Sequence, residues 1–399
     1  EAKVYIDITS PAIKKLPIAI QEFSGTEGKQ IADIIRDDLE FTGFFLSIDR
    51  AAYIEKSAEA FNPKNWTVIG AEAVIKGTVH GEQNLTAVVS LYDTSEGREV
   101  LRKEYKGVRA SISHLSHSIA SDIYQHITGE KGIFRTKVAF VAEDEGEKGL
   151  YLMDWDGTDI KRLGIKGNFV LRPHWSPDGS KIVYSSERDG QWGIYLLDFT
   201  KMTEKKVFAS RGLNITGNFS PDGDEIMFSS SQDETYGIYN INIRISDSKP
   251  TRITSARWIE ISPAASPDGK LVAFVSDRGG TPQIYIMNRN GYDTRRLTFE
   301  GSYNTSPSWS PDGKRIVFVG RVSGKQQIFI ISPDSSALTQ LTDKWNNEDP
   351  SFSPDGRYII FFSDRNGGSG IYIMRANGES PKKITPPWLR AFGPRWSPN

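Results

Sequence analysis

The tetrapeptide Ser-Pro-Asp-Gly begins at Ser176, Ser220, Ser266, Ser310 and Ser353, and a truncated copy, Ser397-Pro398-Asn399, follows at the end of the sequence. The spacings are 44, 46, 44, 43 and 44 residues. Such a period means that one supersecondary unit is stacked several times. In the unit after Ser310, Arg315-Ile-Val-Phe-Val319 alternates as a strand, and Gln327-Ile-Phe-Ile-Ile331 and Leu338-Thr-Gln-Leu-Thr342 follow after turns. An extended run ending in Trp309 precedes the tetrapeptide. Four short strands with Gly- and Asp-rich turns between them predict an antiparallel meander, and this period with four strands is that of a propeller blade. In the tetrapeptide itself, Pro sets φ for the first turn position, Asp bonds the backbone and Gly takes the left-handed slot.

The ends of the repeat predict a closed ring. Lys137-Val-Ala-Phe-Val141, Gly149-Leu-Tyr-Leu-Met153 and Asp159-Ile-Lys-Arg-Leu163 supply strands two, three and four of a unit without a first strand. Pro394-Arg-Trp-Ser-Pro398 is a first strand without its unit. One blade is therefore expected to be split between the two ends, giving six blades over residues 137–399 with no open sheet edge. By meander handedness, the tetrapeptide turns share one face, where the N-terminal region should attach, and the links into each first strand share the other.

Residues 1–130 lack the repeat. Strands are expected at 3–8, 18–23, 73–79, 85–92 and 100–105. Apolar stripes at 31, 34, 35 and 39, and at 112, 115, 119, 123 and 127, predict helices over 28–41 and 112–127, with Gly129 as a stop. The expectation is a multidomain chain: a mixed α/β domain at 1–130, a linker at 131–136 and an all-β six-bladed propeller at 137–399.

Composition removes most chemistry. No cysteine occurs among 399 residues, which excludes thiolate nucleophiles, cysteine-bound zinc and iron–sulfur clusters. With 49 Lys+Arg against 50 Asp+Glu, the chain lacks the basic surface of a nucleic-acid binder. No apolar run approaches the about 18 residues of a membrane-crossing helix, so no membrane insertion is expected. The first residues read as a strand rather than a signal peptide, and the chain is expected to be a mature form. His114 and His117 could share a helix face, but no HExxH accompanies them, and surface or half-buried roles are favoured. His174 beside Trp175 suits a polar rim. Asp154-Trp-Asp156-Gly-Thr-Asp159 resembles a calcium loop, yet the equivalent Asn288-Arg-Asn290-Gly291 lacks the carboxylates, so a β-turn is expected. No cofactor, metal site or catalytic residue is expected.

The best site is the set of links into the first strands. They contribute Arg172, Asn214, Thr216, Glu260, Ser262, Asn304, Ser306, Asn347, Glu348, Asp349, Arg390 and Phe392, flanked by Trp258, Tyr303, Trp345 and Trp388. Polar groups among aromatics suit a protein-binding rim. The alternative is a propeller lyase or hydrolase using Glu260, Glu348 and Asp349.

The tandem units typified by Ser310-Pro-Asp-Gly-Lys-Arg-Ile-Val-Phe and Gln283-Ile-Tyr-Ile-Met-Asn, the run Gly301-Ser-Tyr-Asn-Thr-Ser-Pro-Ser-Trp309 and the terminal Trp396-Ser-Pro398 resemble the TolB family, periplasmic components of the Tol–Pal system of Gram-negative envelopes. The resemblance covers the whole chain. It implies a periplasmic, non-enzymatic adaptor, expected to be monomeric, that supports envelope integrity and constriction during cell division. The propeller mouth would bind the peptidoglycan-associated lipoprotein Pal, a site that colicins exploit by mimicry. The N-terminal segment, here Glu1, Lys3, Val4, Tyr5 and Ile6, would bind TolA when released. Pal binding would order that segment and suppress TolA binding.

Overall fold

In a computed structural model the described residues are 14–399 apart from 145, 166–168 and 366–367, so the strand expected at residues 3–8 and the candidate residues Glu1, Lys3, Val4, Tyr5 and Ile6 lie outside them. The chain divides into two compact units between Arg135 and Thr136.

The first unit is a five-stranded mixed sheet with its helices. Its elements are β1 (Leu16–Ile20), α1 (Gly28–Phe41), β2 (Phe45–Ser47), α2 (Pro63–Thr67), β3 (Ala73–His80), β4 (Asn84–Asp93), β5 (Arg98–Val108) and α3 (Ile112–Thr128). The sheet order is β2-β1-β3-β4-β5; the first three strands run parallel, and β4 and β5 add antiparallel. The α1 stripe buries Ile31, Ile35 and Leu39, and the α3 stripe buries Leu115, Ile119, Ile123 and Ile127. Gly129 ends α3 at φ 75°, donating its N–H to the Gln125 carbonyl, because glycine accepts the left-handed region without a Cβ clash.

Two polar pairs sit inside this unit. His117 is fully buried rather than at the surface, with Nδ1 2.8 Å from Asp38 Oδ2, which ties α3 to α1. Lys76 on β3 pairs with Glu55, whose other oxygen accepts from Trp66 Nε1 at 3.1 Å and the Asn62 N–H at 2.9 Å. A buried charge pair is tolerable only when its remaining lone pairs are bonded in this way.

The second unit is a closed ring of six four-stranded antiparallel sheets. First strands are Phe169–Trp175, Asn214–Phe219, Glu260–Ala265, Asn304–Trp309, Asn347–Phe352 and Arg390–Trp396. We number the blades one to six in that order. In blade six, Arg390–Trp396 pairs with Lys137–Asp144, which is followed by Glu147–Asp154 and Lys161–Arg162. The ring is thus sealed by the split blade that the repeat predicts. Asp154–Asp159 is a turn, with the Gly157 N–H on the Asp154 carbonyl and Thr158 bonded to Asp156.

Second strands are apolar on both faces because each blade is packed between two neighbours. Ala273, Val275, Ile284 and Ile286 of blade three meet Ile316, Phe318 and Ile331 of blade four. Ala139, Val141 and Leu150 of blade six meet Val170, Ile182 and Tyr184 of blade one. Each fully buried Val, Leu, Ile or Phe among them contributes about 1.5–3 kcal/mol. Every blade also carries one aromatic pair across strands two and three: Phe140–Tyr151, Tyr184–Tyr195, Phe228–Tyr239, Phe274–Tyr285, Phe318–Phe329 and Phe361–Tyr372, with ring centroids 5.5 Å apart in blade four and 6.0 Å in blade one. Cross-strand aromatics of this kind fix the register.

Candidate functional site

Each first strand breaks its ladder once, at the same place except in blade two, where the break falls one residue later. The register against strand two shifts just after Leu171, Thr216, Ile261, Thr305, Glu348 and Phe392. Such a bulge re-aims side chains. The residue that turns the backbone lies in the left-handed region in five blades: Arg172 (φ 48°), Ser262 (55°), Ser306 (52°), Asp349 (51°) and Gly393 (54°). Non-glycine residues there cost energy and persist only where the surroundings fix them. Thr216 is the sixth member, and Thr216 Oγ1 donates to the Arg172 carbonyl at 2.6 Å. Arg172 Nη1 donates to Ser262 Oγ at 3.2 Å. The Thr216 and Ser262 N–H groups are taken by Ser185 and Ser229 hydroxyls of the preceding blades.

Four of the polar link residues face inward and brace the wall. Asn304 Nδ2 donates to Gln283 Oε1 at 2.8 Å and to the Glu300 carbonyl at 2.9 Å. Asn347 makes the corresponding bonds to Gln327 and the Lys344 carbonyl, and accepts from Ser363 and Arg365. Asn214 bonds Trp192, Ser210 and Ser230. Glu260 is fully buried and paired with Arg278. A threonine after the fourth strand of blades two to five completes the latch: Thr254, Thr298, Thr342 and Thr385 accept the N–H of Ile238, Ile284, Ile328 and Ile371.

The flanking aromatics cover arginines. Arg278 lies 4.7 Å from the Trp258 ring and 5.1 Å from Tyr285. Arg365 lies 5.3 Å from Trp345 and 4.8 Å from Tyr372, and Arg321 lies 4.4 Å from Tyr303. Trp388 differs, with 71 % of its surface exposed. Arg390 lies over Phe392 at 5.5 Å and near Glu143 at 3.7 Å, and Phe392 stacks on Phe362.

The channel mouth itself is apolar on one side. A cavity of about 540 Å3 is lined by Leu171, Leu213, Ile215, Ile259, Ile261 and Phe392, with Arg172, Ser262 and Asp349 among its polar members. These apolar residues come from blades six, one, two and three. In blades four and five, Thr305 and Glu348 hold the matching position. Burial, then the neighbouring Asp349 and Asp364, raise the Glu348 carboxyl above its ordinary range. Of the apolar residues in this crescent, only Phe392 is among those expected from the sequence. A signal for the rest exists: two residues before the Pro or Gly of the link stand Leu171, Ile215 and Ile261 in blades one to three.

Below the mouth, a second enclosure of about 220 Å3 is shared by all six blades and includes Arg172, His174, Ser306 and Arg395. His174 thus faces the interior of the channel rather than its rim. Burial and the charges of Arg395 and Arg172 push its pKa well down.

Among solved structures, TolB from Acinetobacter baumannii superposes over 99% of this chain and 100% of that one, with TM-score 0.83 and 27% identity. A hydrazine synthase from Kuenenia stuttgartiensis shares the propeller fold alone, at TM-score 0.54 and 16% identity over 66% of this chain and 46% of that one. A curated relative, the Tol-Pal system protein TolB of Desulfosudis oleivorans, is 36% identical over 191 residues, so the match spans 44% of this chain and 43% of the relative's length. The family model described as the TolB amino-terminal domain matches residues 4–100. The model described as the TolB beta propeller domain matches residues 124–399, and by that match the chain belongs to the TolB family.

Proposed function

We propose that this protein is a periplasmic, non-enzymatic component of the Tol–Pal system, and that its propeller mouth binds the peptidoglycan-associated lipoprotein. The apolar crescent of Leu171, Ile215, Ile259 and Ile261, edged by Glu348 and Asp349, carries the reading. Burying apolar area beside a charged rim is how protein interfaces gain affinity and register. Of the carboxylates in the lyase or hydrolase alternative, Glu260 is committed to Arg278. Family membership supports the envelope role and the periplasmic location.

The second half of the proposal concerns the segment holding Glu1, Lys3, Val4, Tyr5 and Ile6, which binds TolA when released. Coupling between that segment and the mouth would be reciprocal, so TolA would weaken lipoprotein binding by the factor the lipoprotein weakens TolA. Colicins that mimic the lipoprotein would compete at the mouth.

Calorimetric titration with the soluble domain of the lipoprotein tests the reading. Saturable one-to-one binding that a mouth variant such as Leu171→Asp abolishes supports it. No heat, with both proteins folded, overturns it.

A further inference from the structure

We propose that the inner chamber of the channel, between Arg172 and Arg395, is a binding site for a small oxyanion such as inorganic phosphate. Arg395 stands three residues after Phe392 on the first strand of blade six, and its Nη1 donates only to backbone carbonyls, of Asp349 at 3.2 Å and Pro394 at 2.7 Å. Arg172, on blade one, donates to Ser262 Oγ. Neither guanidinium has a carboxylate within ion-pair distance among the described residues, whereas Arg278 and Arg188 do. The chamber lining contains no Asp or Glu. Two enclosed guanidiniums with no carboxylate in contact repel each other and lose hydration, and an anion relieves both costs. Burial lowers the Arg395 pKa to about 10, with Asp349 nearby opposing the fall and Arg172 adding to it.

The rest of the lining supplies neutral donors from other blades. Ser306, Ser308 and Ser351 line the chamber, and their hydroxyls make no hydrogen bond to another described residue. The buried side-chain oxygen of Asn218 has no partner either, and an amide can turn its NH2 to that place. Hydroxyl and guanidinium donors converging from several blades match a ligand that accepts on all sides. The volume of about 220 Å3 exceeds the ~30 Å3 share of one water several-fold, so an oxyanion fits with residual water. Arg172 and Ser262 line both enclosures, so the chamber adjoins the mouth cavity.

The test is titration of the full chain with sodium phosphate, against sodium chloride at the same ionic strength, read by calorimetry and melting temperature. The expected result is saturable heat and a saturable rise in melting temperature with phosphate alone. Arg395→Gln and Arg172→Gln should each weaken binding about tenfold or more, the loss expected for one charge-assisted hydrogen-bonding group. No heat, or a linear rise equal in the wild type and both variants, overturns the proposal, because excluded salts stabilise any fold that way. Should Arg395→Gln not fold, Arg172→Gln and the anomalous signal of crystals soaked in sodium selenate decide: no peak between the two arginines overturns it. The lipoprotein plays no part in the assay, so the outcome is independent of the adaptor reading.

Discussion

Lys137 and Ser397 lie 260 residues apart and make the same two bonds that Arg315 and Ser310 make within one turn. The Lys137 N–H donates to Ser397 Oγ at 2.9 Å and the Ser397 N–H to the Lys137 carbonyl at 2.8 Å. Arg315 and Ser310 match these values. The turn at the seam is therefore built from two segments far apart in the sequence, and Trp396 Nε1 adds a bond to Thr136 Oγ1 at 2.7 Å.

Cutting this seam should be costly. Ser397→Ala is expected to remove about 1 kcal/mol, or about 2–4 °C of melting temperature for a unit of this size. Deleting residues 394–399 also removes buried Trp396, a loss of about 3–5 kcal/mol on its own, and should lower the melt by about 10 °C or more. An unchanged melt of the truncated chain would contradict ring closure.

The tetrapeptide turns should make stability depend on acid. The Ser176 hydroxyl, then the Ser180 groups, hold the Asp178 pKa down to about 2, and Ser220 and Ser266 likewise lower Asp222 and Asp268. A carboxylate depressed on folding stabilises fully above its unfolded value near about 3.9, and the gain is lost as pH falls through the folded value. Combined Ser176→Ala, Ser220→Ala and Ser266→Ala should thus lower the urea midpoint at pH 7 and close the gap to wild type between about pH 4 and 2. A gap independent of pH would show that the serine–aspartate bonds contribute nothing through ionisation. Asp355 is the exception among the five turns, since burial pushes its carboxyl up.

In the first unit, Glu55→Ala should destabilise by about 3–5 kcal/mol, because it leaves the buried Lys76 ammonium without its counter-charge. The double change Glu55→Leu with Lys76→Met should recover much of that loss. Denaturant unfolding of both variants decides, and equal losses would mean that the charge pair is not the source.

At the mouth, Ile259 is 47 % exposed, so Ile259→Asp should leave the melting temperature unchanged within about 1 °C while weakening lipoprotein binding about tenfold or more. Titration with the lipoprotein domain checks it. Unchanged affinity would move the interface away from the crescent.

The blade count, the split blade and both long helices could be read from the chain because periodicity reports burial directly. Ile31, Ile35 and Leu39 recur as a stripe, and the Ser-Pro-Asp-Gly turn has a fixed geometry. The short elements Phe45–Ser47 and Pro63–Thr67 carry too few residues for any period to show. The site was half legible. The links do lead into the first strands as expected, but Asn214, Asn304 and Asn347 are polar for an inside reason: each satisfies strand ends beside a buried Gln or Ser. Polarity in a loop does not reveal whether a group faces water or the wall. The bulge decides that, and no residue type marks it; Arg172, Ser262, Ser306 and Asp349 share a conformation, not a chemistry.

Backbone hydrogen exchange with and without the soluble lipoprotein domain tests the central claim most directly. The account predicts added protection at residues 169–172, 213–216, 258–262 and 346–349, all at the mouth, and none on the outermost strands Thr203–Ala209 and Leu338–Gln340. Protection confined to those outer strands, with the mouth unchanged, would contradict it.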